Sequence, residues 1–169
     1  MADDIDNLLG IAEIAGVFVG FAALVTVVAR GRESESRDED VFVLVSIVIF
    51  SVMVITAALL PVVLGHYGLA QSAVWRISSG FLYVVNLLMM LFLNRSTLGF
   101  AAVHSRRRVL SLTVWSLSPF FHIPLLLCIF GAMQHLALAF FLTAIVAVLF
   151  QVSLLFAYLV ISMIAPATK

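Results

Sequence analysis

The chain has 169 residues, of which 64% are hydrophobic and 11% are charged, whereas a soluble domain carries about 25% charged residues. The net charge is zero, but all nine acidic residues lie within the first 40 positions, so most acid–base and hard-metal chemistry is excluded from Val41 onwards. The composition therefore excludes a water-soluble fold, and the single cysteine, Cys128, excludes an intramolecular disulfide and a thiolate metal cluster.

Long apolar stretches follow one another along the chain. A spanning helix needs roughly 20 apolar residues, and five stretches meet this requirement, at about 8–29, 41–64, 77–94, 109–133 and 136–164. The last two come from one uncharged tract that is too long for a single span, and the segment GAMQH, residues 131–135, divides it. The sequence therefore predicts an all-α polytopic membrane protein, with five transmembrane helices in a single bundle.

The basic residues predict the orientation, because Lys and Arg near the spans favour the cytoplasmic side. Eight of them fall on one side of the five-span arrangement, in the first loop, in the third loop and after the last span. Arg76 alone falls on the other side. We therefore predict that the N-terminus is outside and the C-terminus inside.

The first span contains one carboxylate, Glu13, in the segment IAEIAGVFVGFAAL. We place it about five residues, or roughly 8 Å, below the outer end of the span. Arg76 is the nearest basic residue in depth, and a carboxylate in hydrocarbon needs a partner or water. We predict an intramembrane Glu13–Arg76 ion pair. The alternatives are that Glu13 reaches the outer interface or is protonated, or that it belongs to an ion or proton site.

Small residues recur every four positions beside Glu13, at Ala12, Gly16 and Gly20. A smooth face of this kind permits close helix approach in lipid. We predict that Gly16 and Gly20 pack against another helix, in the same subunit or in a neighbour.

Two spans carry polar stripes at helical spacing. In span three the stripe begins at Arg76, and in span five it includes Thr143 and Ser162. The residues that we predict for a polar pathway are Ser79, Tyr83, Asn86, Gln151 and Tyr158. The alternative is that these side chains make interhelical hydrogen bonds inside the bundle.

Span four contains Pro119 and Pro124, with His122 between them near mid-membrane. Each proline removes a helical hydrogen bond, and histidine titrates near neutral pH. We predict a gate or a proton-sensitive element here, with ordinary kinked packing as the alternative.

The basic cluster Arg106, Arg107 and Arg108 lies in the third loop. Basic residues at this position attract anionic lipid headgroups, each contributing about 1 kcal/mol. We predict that these arginines contact headgroups. The alternative is a plain topology determinant.

No motif for a hydrolase, a metalloprotease, a nucleotide-binding loop or a dinucleotide-binding fold occurs in the sequence. A haem would need a second axial ligand at the depth of His122, and the other histidines lie outside the predicted spans. We therefore predict that the protein is not an enzyme and has no cofactor, no bound metal and no nucleic-acid partner.

Three segments carry a resemblance to a known group: Ala12–Val25, Gly31–Arg32 and Trp75–Ser79. In these segments the chain resembles small uncharacterised bacterial membrane proteins of about this size. The resemblance implies a location in the bacterial inner (plasma) membrane and implies no activity.

The leading functional hypothesis from the sequence is a homo-oligomeric protein with channel-like permeation. Its partners would be the lipid bilayer and further copies of itself. The alternative is a non-transporting scaffold or regulatory subunit that binds another membrane protein. An intramembrane enzyme is a third hypothesis.

Overall fold

A computed structural model describes residues 2–29, 37–100 and 105–164. Of these residues 93% are α-helical, and they include no strand. The helices are α1 (Ala2–Ala29), α2 (Arg37–His66), α3 (Gln71–Phe100), α4 (Ser105–Ile129) and α5 (Ala137–Ile164). Because lipid offers no hydrogen bonds to the backbone, apolar segments of this length satisfy their N–H and C=O groups within helices.

Four helices within the described residues are long and apolar enough to cross a membrane. The spans are Ile5–Val25 in α1, Val41–His66 in α2, Gln71–Leu91 in α3 and Gln134–Ile161, which includes α5. The protein is therefore an integral membrane protein, as predicted. In α4 the described apolar segment, Leu117–Ile129, is shorter, and the side chains before it lie outside the described part. The fifth span and the orientation stay predictions.

The predicted fourth span reached residue 133, but α4 ends at Ile129. The amide of Ala132 donates to Leu127 O at 3.0 Å, and that of Gly131 donates to Cys128 O at 3.1 Å. These two bonds form a Schellman cap, which needs a left-handed residue at its turn. Gly131 supplies this conformation, with φ +72°.

The described chain divides into two compact units. Unit one comprises Met1–Thr56 and Val148–Lys169, and unit two comprises Ala57–Ala147. Helices α2 and α5 each contribute residues to both units.

In unit one, α1 buries residues that are seven positions apart, namely Leu8, Ala15 and Ala22. Between Ala15 and Ala22, α1 also carries Phe18 and Phe21. The ring of Phe156 from α5 lies 5.8 Å from that of Phe18 and 5.9 Å from that of Phe21. These aromatic contacts join α1 to α5.

In unit two, α3 packs along α4, and α5 contacts the start of α3. The ring of Trp75 lies 5.7 Å from that of Phe141. The Cys128 thiol on α4 lies 3.6 Å from the carbonyl oxygen of Trp75 and 3.8 Å from that of Ala137. Cys128 therefore connects α3, α4 and α5 at one level.

Candidate functional sites

The polar stripe of α3 faces α4. Ser79 and Asn86 are fully buried, and Tyr83 between them is half-buried. The Tyr83 ring meets the His122 ring of α4 edge-on, with centroids 5.2 Å apart and planes at 89°. The structure therefore brings two predicted sites together. We call Ser79, Tyr83, Asn86 and His122 the polar seam.

His122 is held by Ser118, one turn earlier on α4. The His122 Nδ1 atom lies 2.9 Å from the Ser118 carbonyl oxygen and 3.0 Å from the Ser118 hydroxyl. In one tautomer Nδ1–H donates to the carbonyl oxygen, and in the other Nδ1 accepts from the hydroxyl. In both cases Nε2 is the remaining polar atom, and it is buried with no hydrogen-bond partner in the described structure.

Asn86 has the largest unsatisfied polar group of the polar seam. Both polar atoms of its amide are buried, and neither has a hydrogen-bond partner among the residues described. The hydroxyl of Ser78, about two turns earlier on α3, also has no partner among the residues described. A buried amide without a partner costs about 1–3 kcal/mol. Among the described residues, Asn86 therefore makes no interhelical hydrogen bond, which is the predicted alternative to a pathway.

The polar residues of the α5 stripe differ in burial and in hydrogen bonding. Gln151, in unit one, is 1% exposed, and both of its amide atoms lack a partner in the described residues. Tyr158 is half-buried. Thr143 is exposed, and its hydroxyl donates to Ala139 O within the same helix at 2.8 Å. The side chain of Ser162 lies outside the described part of the chain.

Glu13 lies on the exposed side of α1, opposite the buried positions Leu8, Ala15 and Ala22. Only 17% of the most apolar window of this helix is buried. The exposed side also carries large apolar residues, namely Leu9, Val17, Phe21, Leu24 and Val27. We call Glu13 together with these residues and Gly20 the α1 face.

Glu13 lies eight residues, or about 12 Å, after Ile5, where the candidate span Ile5–Val25 begins. Its depth in the membrane stays a prediction. The described side chains of unit one include no Lys, Arg or His. A cationic partner for Glu13 must therefore come from outside the described part of its own unit.

Gly16 is half-buried and Gly20 is exposed. A Cβ atom added at either position would meet no heavy atom of the described structure within 4 Å, apart from the neighbouring backbone. Within the described structure no helix therefore makes a close contact at these glycines, and their packing against another helix, in the same subunit or in a neighbour, stays a prediction.

Arg76 is exposed at the start of α3, and its guanidinium group lies against Gly131. A Cβ atom on Gly131 would lie 3.0 Å from the Arg76 Cζ atom and 3.2 Å from Nε. Gly131 lies two residues after the end of α4, where the last carbonyl groups carry partial negative charge. This favourable position for a cation was not predicted from the sequence.

For the remaining predicted site residues, the functional roles stay predictions. Glu13 and Arg76 belong to different units, and their ion pair stays a prediction. The side chains of Arg106, Arg107 and Arg108 lie outside the described part of the chain. Helix α4 continues through Pro119 and Pro124, and a gate at His122 stays a prediction.

The chain matches no protein-family model, no curated protein and no solved structure. The α1 face and the polar seam are therefore the features from which a function can be proposed.

Proposed function

We propose that this integral membrane protein works by binding other membrane helices, as a homo-oligomeric scaffold or regulatory subunit without catalytic activity. The observation that carries the proposal is the exposure of Glu13 within a spanning segment. We place the protein in the bacterial inner membrane, on the resemblance of its three sequence segments.

A carboxylate such as Glu13 is costly inside a membrane. Placing a charged residue at the centre of a spanning helix costs about 2.5–3.5 kcal/mol on insertion scales, and such residues normally face a protein interior or water. Glu13 does not face the interior of its own unit, since it is exposed about 12 Å along the candidate span Ile5–Val25. A bound helix with a cation or a hydrogen-bond donor at that depth offsets this cost.

Photocrosslinking in native membranes tests this function. A photoreactive residue at Val17, one turn from Glu13, should form adducts with protein. The matched control is Phe150 in the same unit, because Val17 is 55% exposed and Phe150 is 54% exposed. We expect protein adducts at Val17 at several times the yield at Phe150. Adducts with lipid alone at Val17 would contradict the proposal.

Channel-like permeation is the second candidate, and the unpartnered buried atoms favour it. Asn86, Gln151 and His122 Nε2 each need a hydrogen-bond partner, and water is the simplest one. A permeation pathway must also be wet, because ions need water or polar groups to replace their hydration.

Recordings from purified protein in planar bilayers test this candidate. Permeation predicts discrete currents whose size or selectivity changes in Asn86→Leu and in Gln151→Leu. The exposed Thr143, whose hydroxyl bonds within its own helix, provides the control substitution Thr143→Ala. Currents that neither amide substitution alters would exclude these residues from the pathway.

A further inference from the structure

We infer that the α1 face binds a second copy of this chain, with Glu13 of one copy paired to Arg76 of the other. The inference rests on the proposed function and names its partner. It differs from the pair predicted within one chain, because here the two charges belong to different molecules.

Charge complementarity selects the second copy. Arg76 is the only Lys or Arg among the side chains that the structure describes, and it is exposed. Its guanidinium group has five N–H donors in a fork that matches a carboxylate. The contact with Gly131 is made from one side, and the exposed part of the group remains open to an anion.

Glu13 and Arg76 lie at similar distances from the starts of their own candidate spans. Where α1, α2 and α3 each cross the membrane, α1 and α3 start on the same side. Glu13 lies eight residues into its span and Arg76 lies five residues into α3, which corresponds to about 12 Å and about 8 Å. The long arginine side chain covers the remaining difference of about 4 Å.

The surface beside Glu13 permits the approach of a second helix. Gly16 and Gly20 have open space where a Cβ atom would stand, and small residues allow backbones to come close in lipid. A carboxylate flanked by small residues therefore gives the second copy both a charged anchor and a smooth contact.

Crosslinking between two differently tagged copies provides the first test, in a Cys128→Ser background. One copy carries Glu13→Cys and the other carries Arg76→Cys, so a membrane-permeant bismaleimide can join them only between molecules. We expect a crosslinked dimer that contains both tags. A single chain that carries both cysteines and becomes crosslinked only within itself would overturn the inference and support the pair within one chain.

Charge substitution provides the second test, read as recovery of one tag with the other. Glu13→Gln should lower this recovery by about tenfold, because removing one partner of a desolvated charge pair is costly. The control is Asp6→Asn, an exposed carboxylate on the same helix near its end. Recovery should return when a copy with Glu13→Arg is expressed with a copy that carries Arg76→Glu. Equal losses in Glu13→Gln and Asp6→Asn would overturn the pairing.

The photocrosslinked adducts at Val17 separate this inference from the function beneath it. Adducts that contain the second tag support both. Protein adducts without that tag overturn the second copy as the partner and leave helix binding in place. Adducts with lipid alone overturn both.

Discussion

Gly131 meets two constraints that a larger residue cannot meet. Its φ of +72° costs a residue with a side chain about 1–2 kcal/mol, and its missing Cβ makes room for the Arg76 guanidinium. We predict that Gly131→Ala lowers the free energy of unfolding by at least about 1–2 kcal/mol, measured by thermal unfolding in detergent.

The control for this prediction is Gly80→Ala. Gly80 lies within α3, and a Cβ atom there would meet nothing within 4 Å. The change should be neutral or slightly stabilising, because alanine is the better helix former. An equal loss at both glycines would mean that neither the left-handed conformation nor Arg76 matters.

Asn86 is predicted to destabilise the fold. If its amide is dry and unpartnered, Asn86→Leu should raise the free energy of unfolding by about 1–3 kcal/mol. The control is Ser46→Ala, because the buried Ser46 hydroxyl already donates to Phe42 O at 2.8 Å. A loss of stability in Asn86→Leu would show that water or a ligand satisfies the amide, as permeation requires.

The sequence predicted the polar seam in part. Three- and four-residue spacing places Ser79, Tyr83 and Asn86 on one face of α3, because helix geometry is local. The contact of Tyr83 with His122 depends on the register between α3 and α4, which spacing within one helix does not determine. The contact of Arg76 with Gly131 was missed for the same reason, since the two residues are distant in sequence.

At the scale of helices, hydrophobicity predicted where spans occur better than which side of each is buried. The buried side of α1 carries Leu8, Ala15 and Ala22, while equally apolar residues such as Val17 and Leu24 are exposed. Lipid is as apolar as a protein interior, so hydrophobic patterning does not separate the two sides.

The packing of α5 on α1 should depend on Phe156. Phe156 contacts both Phe18 and Phe21 of α1, and each aromatic pair contributes about 0.5–1.5 kcal/mol beyond its area. We predict that Phe156→Ala lowers the thermal unfolding temperature in detergent. Phe150→Ala is the control, because Phe150 is 54% exposed and should change stability little. Equal shifts would contradict a specific role for these contacts.

For the whole molecule, the open question of topology has a direct test. In a Cys128→Ser background, a cysteine at Ser72, before the third predicted span, should react with a membrane-impermeant thiol reagent added outside. A cysteine at Ser105 should not react, since basic loops favour the cytoplasm. Labelling in the reverse pattern would overturn the orientation. Labelling of both from outside would remove the crossing by α3 on which the depth comparison of Glu13 and Arg76 depends.

In unit two, the positive charge of Arg76 faces the carbonyl dipoles at the end of α4, which do not titrate. A carboxylate loses its charge when it takes up a proton, but the carbonyl dipoles at a helix end are fixed by the peptide bond. Unit two, Ala57–Ala147, contains no Asp or Glu, and its Arg76 lies against the end of α4. Arg76 is therefore held here by dipoles of the peptide bond, without a carboxylate from its own unit.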